Sequence, residues 1–280
     1  MSHTIIATRR QILKWIGVGA VPVVTSWMTA GDAEAADLPL NTTGLDHFGM
    51  TVPDPEATAR FYGRIFDTQL FQERDPPPRF YVKIGSGYLA FGGNTTVPPS
   101  VDHICTLVRD YRAAEMRKSL ESAGVSVGPG AQGMATDPDG IRLQLANVPG
   151  GLARTIMPAF RLAQDESLFQ AIAPDHVVLR VSDRDRSLAH YRKLFGPEVS
   201  RTKKPERVWL AAARTKIGLE VAAAGEKPGV SHIAVRVAAF DRRKAIAKLE
   251  RADVKVIPSD EDQIVRFRDP NGLLMELMGG

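Results

Sequence analysis

Four stretches of the chain open with the same alternation of apolar and polar positions. They read Leu45-Asp46-His47-Phe48, Val101-Asp102-His103-Ile104, Pro174-Asp175-His176-Val177 and Val230-Ser231-His232-Ile233. The period of two predicts a strand at each, and a run of helical periodicity follows each strand. After the first, Ala57, Phe61 and Ile65 recur at helical spacing, with Asp54 placed to cap the helix and Pro55 at its first position. After the third, Leu188, Tyr191 and Phe195 make the apolar stripe, and Ser182 with Asp185 gives a capping-box pattern. Strand-like runs come next, at 79–84 with 88–91 and at 208–212 with 217–221. Each repeat therefore predicts β-α-β-β-β.

The repeats fall into two kinds. The second and fourth share Leu120-Glu121-Ser122-Ala123-Gly124-Val125 with Leu249-Glu250-Arg251-Ala252-Asp253-Val254, and Asp137-Pro138-Asp139-Gly140 with Asp269-Pro270-Asn271-Gly272. The D-P-x-G stretches suit tight turns, with Pro presetting φ and Gly closing the turn. The first and third lack that turn. Both histidine pairs, His47 with His176 and His103 with His232, are 129 residues apart. The order is A-B-A′-B′, a two-repeat unit duplicated. This gives one domain at 43–149, a join at 150–173 and a second domain at 174–279. In the join, Met157, Phe160, Leu162, Leu168 and Ile172 suggest a segment packed on the surface, partly as helix.

Ahead of the repeats the pattern changes. Thr8-Arg9-Arg10-Gln11-Ile12-Leu13-Lys14 precedes an apolar stretch at 15–30 and the small-residue site Ala33-Glu34-Ala35. Basic region, apolar region and cleavage-like site come in the order of an export signal. The paired arginines resemble a twin-arginine signal. Residues 1–35 are read as that signal, which implies the twin-arginine export machinery as a partner and a periplasmic or extracellular location. Removing them lowers the formal net charge from +4 to +3. Charges are interspersed without a basic run, so nucleic-acid binding is not inferred. A single cysteine, Cys105, excludes an internal disulfide and a CxxC zinc site. Any metal must be held by His, Asp, Glu or Gln.

Four β-α-β-β-β units, a histidine on each first strand, and Asp269-Pro270-Asn271-Gly272 leading to Glu276 resemble the vicinal oxygen chelate superfamily. That group includes glyoxalase I, type I extradiol dioxygenases, and the fosfomycin and bleomycin resistance proteins. The resemblance covers about residues 43–279 and rests on the fourfold recurrence. It implies an α+β fold in which four βαβββ modules pair into two open cup-like eight-stranded barrels. It also implies a metal inside the cup, held by first and last strands.

Counting 44 residues from the first-strand histidines reaches Phe91, Glu220 and Glu276, while alignment on the D-P-x-G turn gives Gln144 in the second repeat. The resemblance thus implies a metal site of His176, His232, Glu276 and Glu220 in the second half. It offers a weaker second set of His47, His103 and Gln144, with Phe91 where a carboxylate would be. Two histidines and one carboxylate with open positions suit Fe2+. Adding Glu220 would bring the set closer to a glyoxalase-type site for Ni2+ or Zn2+, and Mn2+ is a further candidate. Glu220 is alternatively a general base.

Strand alternation places Arg180 on the face of His176 and Arg236 on the face of His232. They would clamp a carboxylate or enediolate, or pair with acids at the rim. Cys105 reads as a small filler and His190 as a packing residue. One departure from the extradiol pattern stands out. The stretch 257–268 has neither the histidine nor the tyrosine those enzymes carry there, leaving Arg266 and Arg268 to supply polar contacts. Three readings stay open. The first is a metal-dependent enzyme, dioxygenase-like or lyase/isomerase-like, acting on a small vicinal-oxygen compound, with anions among the candidates. The second is a non-catalytic protein that sequesters a small molecule. The third is a structural module with empty cups. A homodimer is compatible with each.

Overall fold

The computed structural model describes residues 37–128, 134–147, 156–164, 166–259 and 261–280. The expected signal at 1–35 lies outside the described residues. The first module comprises β1 (Thr42–Val52), α1 (Pro55–Ile65), β2 (Gln69–Glu73), β3 (Phe80–Ile84) and β4 (Gly87–Gly93). The second comprises β5 (Ser100–Val108), α2 (Ala113–Ser122), β6 (Ser126–Val127), β7 (Met134–Thr136) and β8 (Arg142–Ala146). After β9 (Ile156–Arg161) comes the third, with β10 (Ala171–Val181), α3 (Arg184–Phe195), β11 (Glu198–Lys203), β12 (Glu206–Ala212) and β13 (Thr215–Val221). The fourth is β14 (Gly229–Val237), α4 (Arg242–Arg251), β15 (Val256–Ile257), β16 (Ile264–Arg268) and β17 (Leu274–Gly279).

Modules pair within each half through their first strands, β1 against β5 and β10 against β14, both antiparallel. The second half is an eight-stranded sheet in the order β11-β12-β13-β10-β14-β17-β16-β15. The first half has nine strands, β6-β7-β8-β5-β1-β4-β3-β2-β9. Both are open cups. The ninth strand corrects the expectation of a partly helical join. β9 covers the edge of β2, which would otherwise be left unpaired. As the new edge, β9 tolerates Pro158, which has no N–H to give to a ladder.

Along β1, Phe48, Met50 and Val52 turn into the hydrophobic core, whereas His47, Gly49 and Thr51 turn into the cup. An extra residue breaks this alternation on every first strand. It falls between Leu45 and Phe48 in β1, and at Asp102, Asp175 and Ser231 in β5, β10 and β14. Such bulges bring two consecutive side chains to the same side. Here the pairs are Asp46-His47, Asp102-His103, Asp175-His176 and Ser231-His232.

The helices start where expected in the first module. Asp54 accepts a hydrogen bond from Ala57 N, and Pro55 follows it. In the third module the cap is Asp183, bonded to Arg186 N, rather than Ser182. Ser182 is drawn away by Asp139, which accepts from its backbone N at 2.9 Å and from its hydroxyl. That contact belongs to a reciprocal lock between the halves. Asp137 fixes its own turn by accepting from the backbone N of Asp139 and Ile141, and Tyr191 of α3 donates to its other oxygen at 3.2 Å. Asp269 does the same with Asn271 and Leu273, and Tyr62 of α1 donates to it at 3.1 Å. The D-P-x-G turn of each half is thus gripped by a helix of the other.

The closing glycine of that turn has φ +84 at Gly272, with nothing within 4 Å of an added Cβ. Gly272→Ala is therefore expected to cost about 1–2 kcal/mol for the left-handed backbone alone. Urea unfolding reads the value, and a neutral result would contradict the conformation.

Candidate metal centre

The second cup gathers its chemistry through register. β10 and β14 place His176 opposite Ala234 and Val178 opposite His232. β17 runs parallel to β14 and sets Glu276 opposite Ala234 as well. His176, His232 and Glu276 are all buried, and their ligand atoms lie within 4.8 Å of one another. His176 Nε2 stands 3.3 Å from Glu276 Oε2, and His232 Nε2 stands 3.4 Å from Oε1. Neither Nε2 has a hydrogen-bond partner.

The rings are oriented from behind. Asp175 Oδ1 lies 2.7 Å from His176 Nδ1. An ionised carboxylate only accepts, so Nδ1 carries the proton and Nε2 turns its lone pair inward. Ser231 Oγ takes the corresponding place, 3.3 Å from His232 Nδ1. Burial, the largest effect, pulls His232 down to about 3. Burial alone would raise Glu276, but its close contact with His176 and the charges of His232, His176 and Arg266 carry it down to about 2. Burial also pulls at His176, yet its hydrogen bond to Asp175 and the nearby carboxylate of Glu276 outweigh that and raise it. His176 is thus the ring at which a proton competes most directly with a cation. Two inward lone pairs and a carboxylate converge on a point where a cation satisfies all three. The residues fit a divalent metal, and two histidines with one carboxylate form the facial set suited to Fe2+.

Glu220 stands apart from this group. Equal counting from the histidine misleads because the sheet registers differ. His232 faces Leu274, but His176 faces Lys216, so Glu220 pairs with Arg180 four residues further along. That is about 13 Å along the strand. There Glu220 accepts from Arg207 Nε at 2.8 Å. The strand position that matches Glu276 is Gly218, where an added Cβ would come within 2.8 Å of the Trp209 ring. Trp209 fills that place and meets His176 edge-on at 5.0 Å.

The two expected clamp arginines do not face one ligand. Arg180 lies opposite Gly229 and Arg236 opposite Ala173, at opposite ends of the antiparallel pair. Six ladder steps separate those rows, about 20 Å. Arg180 pairs with Glu226 at 3.0 Å, and Arg236 Nε lies 3.3 Å from Asp175, behind His176. Arg266 does reach the site, with Nε 2.5 Å from Glu276 Oε1, whereas Arg268 donates to the Gly272 carbonyl. Arg207 and Trp209 were not singled out from the sequence. Their signal was the alternation of 206–212, which turns Val208 and Leu210 to the core and leaves an arginine and an indole on the other face.

In the first cup the matching positions are Ala90 and Gln144. Phe91 points the other way, into the core, stacked on Tyr62 at 5.4 Å. His47 Nε2 lies 3.1 Å from Gln144 Oε1 and 3.3 Å from His103 Nε2. Tyr81, Tyr88, Ala90, Phe71 and Ile156 line the rest as an apolar cluster. Cys105 is fully buried beside Asp46 and His47. Burial and the Asp46 charge push its thiol well up, which keeps it protonated as a filler. His190 is a buried packing residue against Tyr191. A cleft of about 630 Å3 lies elsewhere, between Phe66, Lys83 and Arg161 on one side and Phe240 to Lys248 on the other, and holds none of these ligands.

The model of the Glyoxalase/Bleomycin resistance protein/Dioxygenase superfamily matches residues 44–145 and 173–277. The chain belongs to this superfamily. Among solved structures of similar fold is the 2,3-dioxygenase LapB from Pseudomonas sp. KL28, at 18% identity and a TM-score of 0.67, covering 86% of this chain and 93% of that one. Homoprotocatechuate 2,3-dioxygenase from Brevibacterium fuscum is similar at 13% identity and a TM-score of 0.63, covering 89% and 82%. The Mn(II)-bound glyoxalase from Novosphingobium aromaticivorans is similar at 15% identity and a TM-score of 0.60, covering 86% and 83%. No curated protein matches the chain. At these identities the structural likeness speaks for the superfamily fold alone.

Proposed function

We propose that this superfamily member is an exported, metal-dependent enzyme of the dioxygenase-like kind, acting in its second cup on a small anionic compound with vicinal oxygens. The observation that carries the reading is the donor set. Two buried imidazole nitrogens without hydrogen-bond partners converge on one carboxylate, and the place of a second carboxylate is Gly218 under Trp209. Three ligands rather than four favour Fe2+ over a glyoxalase-type ion. The order of signal elements in residues 1–35 supports export.

His176, His232 and Glu276 would hold the ion on one side of the cup, leaving its other positions to face substrate. When bound, Fe2+ supplies Lewis acidity toward paired oxygens and a redox-active centre for oxygen chemistry. The chain's own residues do the rest. Asp175 and Ser231 keep the two Nε2 atoms pointing inward. Trp209 forms an apolar wall beside His176 and keeps water from that side. Arg207, held by Glu220, brings a positive charge to the same cup, close enough to depress His232 further. It suits an anionic group on the substrate.

One observation favours the sequestration reading instead. Neither histidine nor tyrosine occurs at 257–268, and Arg266 already occupies one oxygen of Glu276. A single experiment separates the two. The protein is loaded anaerobically with Fe2+, and oxygen uptake is followed with catechols bearing or lacking a carboxylate. One molecule of O2 consumed per ring opened, lost in His232→Ala, supports the enzyme. Metal bound with ligand retained and no turnover would replace it with the sequestration reading.

A further inference from the structure

The cleft outside the cups is built between the halves. Phe66, Lys83 and Arg161 line one wall and the stretch from Phe240 to Lys248 the other. Its volume of about 630 Å3 falls in the range that holds a small organic molecule. Four cations stand in the lining, namely Lys83, Arg161, Lys244 and Lys248. Among the described residues none of them makes an ion pair. Elsewhere on the surface cations are engaged, as Arg60 is with Glu56, Arg142 with Asp102 and Arg192 with Glu198. The cleft has three carboxylates of its own, and they serve other groups or none. Asp67 accepts from Gln69 N at 3.0 Å, Asp241 caps α4 through Lys244 N at 2.9 Å, and Glu166 is in no ion pair among the described residues. Four cations against three carboxylates leave one positive charge facing the space.

The duplicated chain supplies an internal comparison. Helices α2 and α4 begin and end 129 residues apart. Lys244 therefore matches Glu115, and Lys248 matches Ser119. Tyr88 stands opposite His47 and Lys216 opposite His176, so Lys83, opposite Tyr88, matches Ala211, opposite Lys216. Arg161 lies on β9, which has no counterpart in the second half. Each cation of the cleft is thus an addition to the repeated module. The first turn of α4 also holds Arg242, Arg243 and Lys244 and no acid. Cations there oppose the helix dipole, and an anion beside them offsets that repulsion.

We infer that this cleft is a second ligand site, which takes a small organic anion through its carboxylate or phosphate oxygens. Arg161 grips from the first half, and Lys244 with Lys248, one turn apart on α4, from the second. Lys248 is already positioned. Its Nζ donates to the Leu168 carbonyl at 2.8 Å and lies 5.4 Å from the centre of the Phe169 ring, with two of its three donors left over. The half-buried Phe240 offers apolar surface to the carbon part of the ligand. Side chains hold the anion here, because Asp241 already occupies the end of α4. A ligand gripped from both halves binds only the assembled protein, so it raises the unfolding temperature. No residue of either cup takes part, and the site is independent of the proposed chemistry.

The test is calorimetric titration of the full chain with benzoate, phthalate, inorganic phosphate and pyrophosphate, at one ionic strength set with chloride. Metal is first stripped by chelator, and the chelator, itself a polyanion, is dialysed away. One equivalent of saturable binding, with a rise in unfolding temperature, is expected for at least one probe. The tighter of the carboxylate and phosphate probes names the group. Lys244→Glu and Lys248→Ser, which install the residues of α2, should each weaken binding by about tenfold or more. Lys203→Glu makes the same charge change as Lys244→Glu on the exposed strand β11 and should leave affinity unchanged. No saturable binding of any probe overturns the inference. Equal weakening by Lys244→Glu and Lys203→Glu overturns it too, as the mark of overall charge alone. Binding lost in Arg207→Ala and kept in Lys244→Glu would move the anion to the second cup, which removes this site and leaves the proposed function standing.

Discussion

Glu276→Ala is expected to abolish metal binding in the second cup and to cost the metal-free protein about 3 kcal/mol. Two effects combine in this residue. It is the only carboxylate in the group that would hold the metal, and neutral imidazoles alone bind a dication poorly in competition with chelator. It is also the partner of Arg266, whose side chain is 19% exposed. Removing one member of a buried pair leaves the other charge uncompensated, at about 3–5 kcal/mol when fully buried. The partial exposure of Arg266, and its second bond to Glu261 at 2.8 Å, place the effect at the low end. The double variant Glu276→Ala/Arg266→Ala should recover part of the loss, because no orphaned guanidinium remains. Urea unfolding in chelator measures both. A double variant as unstable as the sum of the singles would show that Arg266 and Glu276 are not coupled.

Gly85→Ala is expected to be among the most damaging substitutions away from either cup. Gly85 adopts φ +70, and a Cβ would stand 2.0 Å from the carbonyl oxygen of Ile172 and 2.1 Å from its carbon. These are backbone atoms at the start of β10, and the adjacent Ser86 N bonds to the same oxygen at 2.9 Å. Nothing flexible is available to move aside. The left-handed backbone costs about 1–2 kcal/mol and the overlap about 1–3 kcal/mol more, so a loss near 3 kcal/mol should appear in urea unfolding. Gly85→Asn separates the causes. Asparagine tolerates the backbone but carries the same Cβ, so it should remain destabilising at Gly85 and be nearly neutral at Gly272. Equal behaviour at the two sites would remove the steric argument.

Repetition made much of this legible in the sequence. Four recurrences of a histidine in a strand-like context gave the modules, their pairing and the histidines that face into each cup. Gln144 and Glu276 were reachable because a D-P-x-G turn stands a fixed distance ahead of each. Glu220 was misread because sequence distance is not sheet position. The connection before β13 brings that strand to β10 two residues out of step with the way β17 meets β14. The bulges were hidden for a related reason. Alternation of apolar and polar residues encodes faces only while the strand stays regular, and each bulge sits at the histidine itself. The Asp-His pairs looked like neighbours on opposite faces, and only the folded strand turns them into hydrogen-bonded partners. β9 carried a proline and weak alternation, so nothing local marked it as a strand. The unpaired edge of β2, distant in sequence, is what recruits it.

The grip of each half upon the other's turn also bears on the order in which the protein can be completed. Tyr62 belongs to the first module, yet the aspartate that receives its hydroxyl is Asp269 in the fourth, made 207 residues later. β2 likewise waits for β9, which follows the second module. The first half therefore reaches its final packing only after the Asp269 turn of the fourth module is available. Loss of residues 269–280 would be felt in the first module as much as in the fourth.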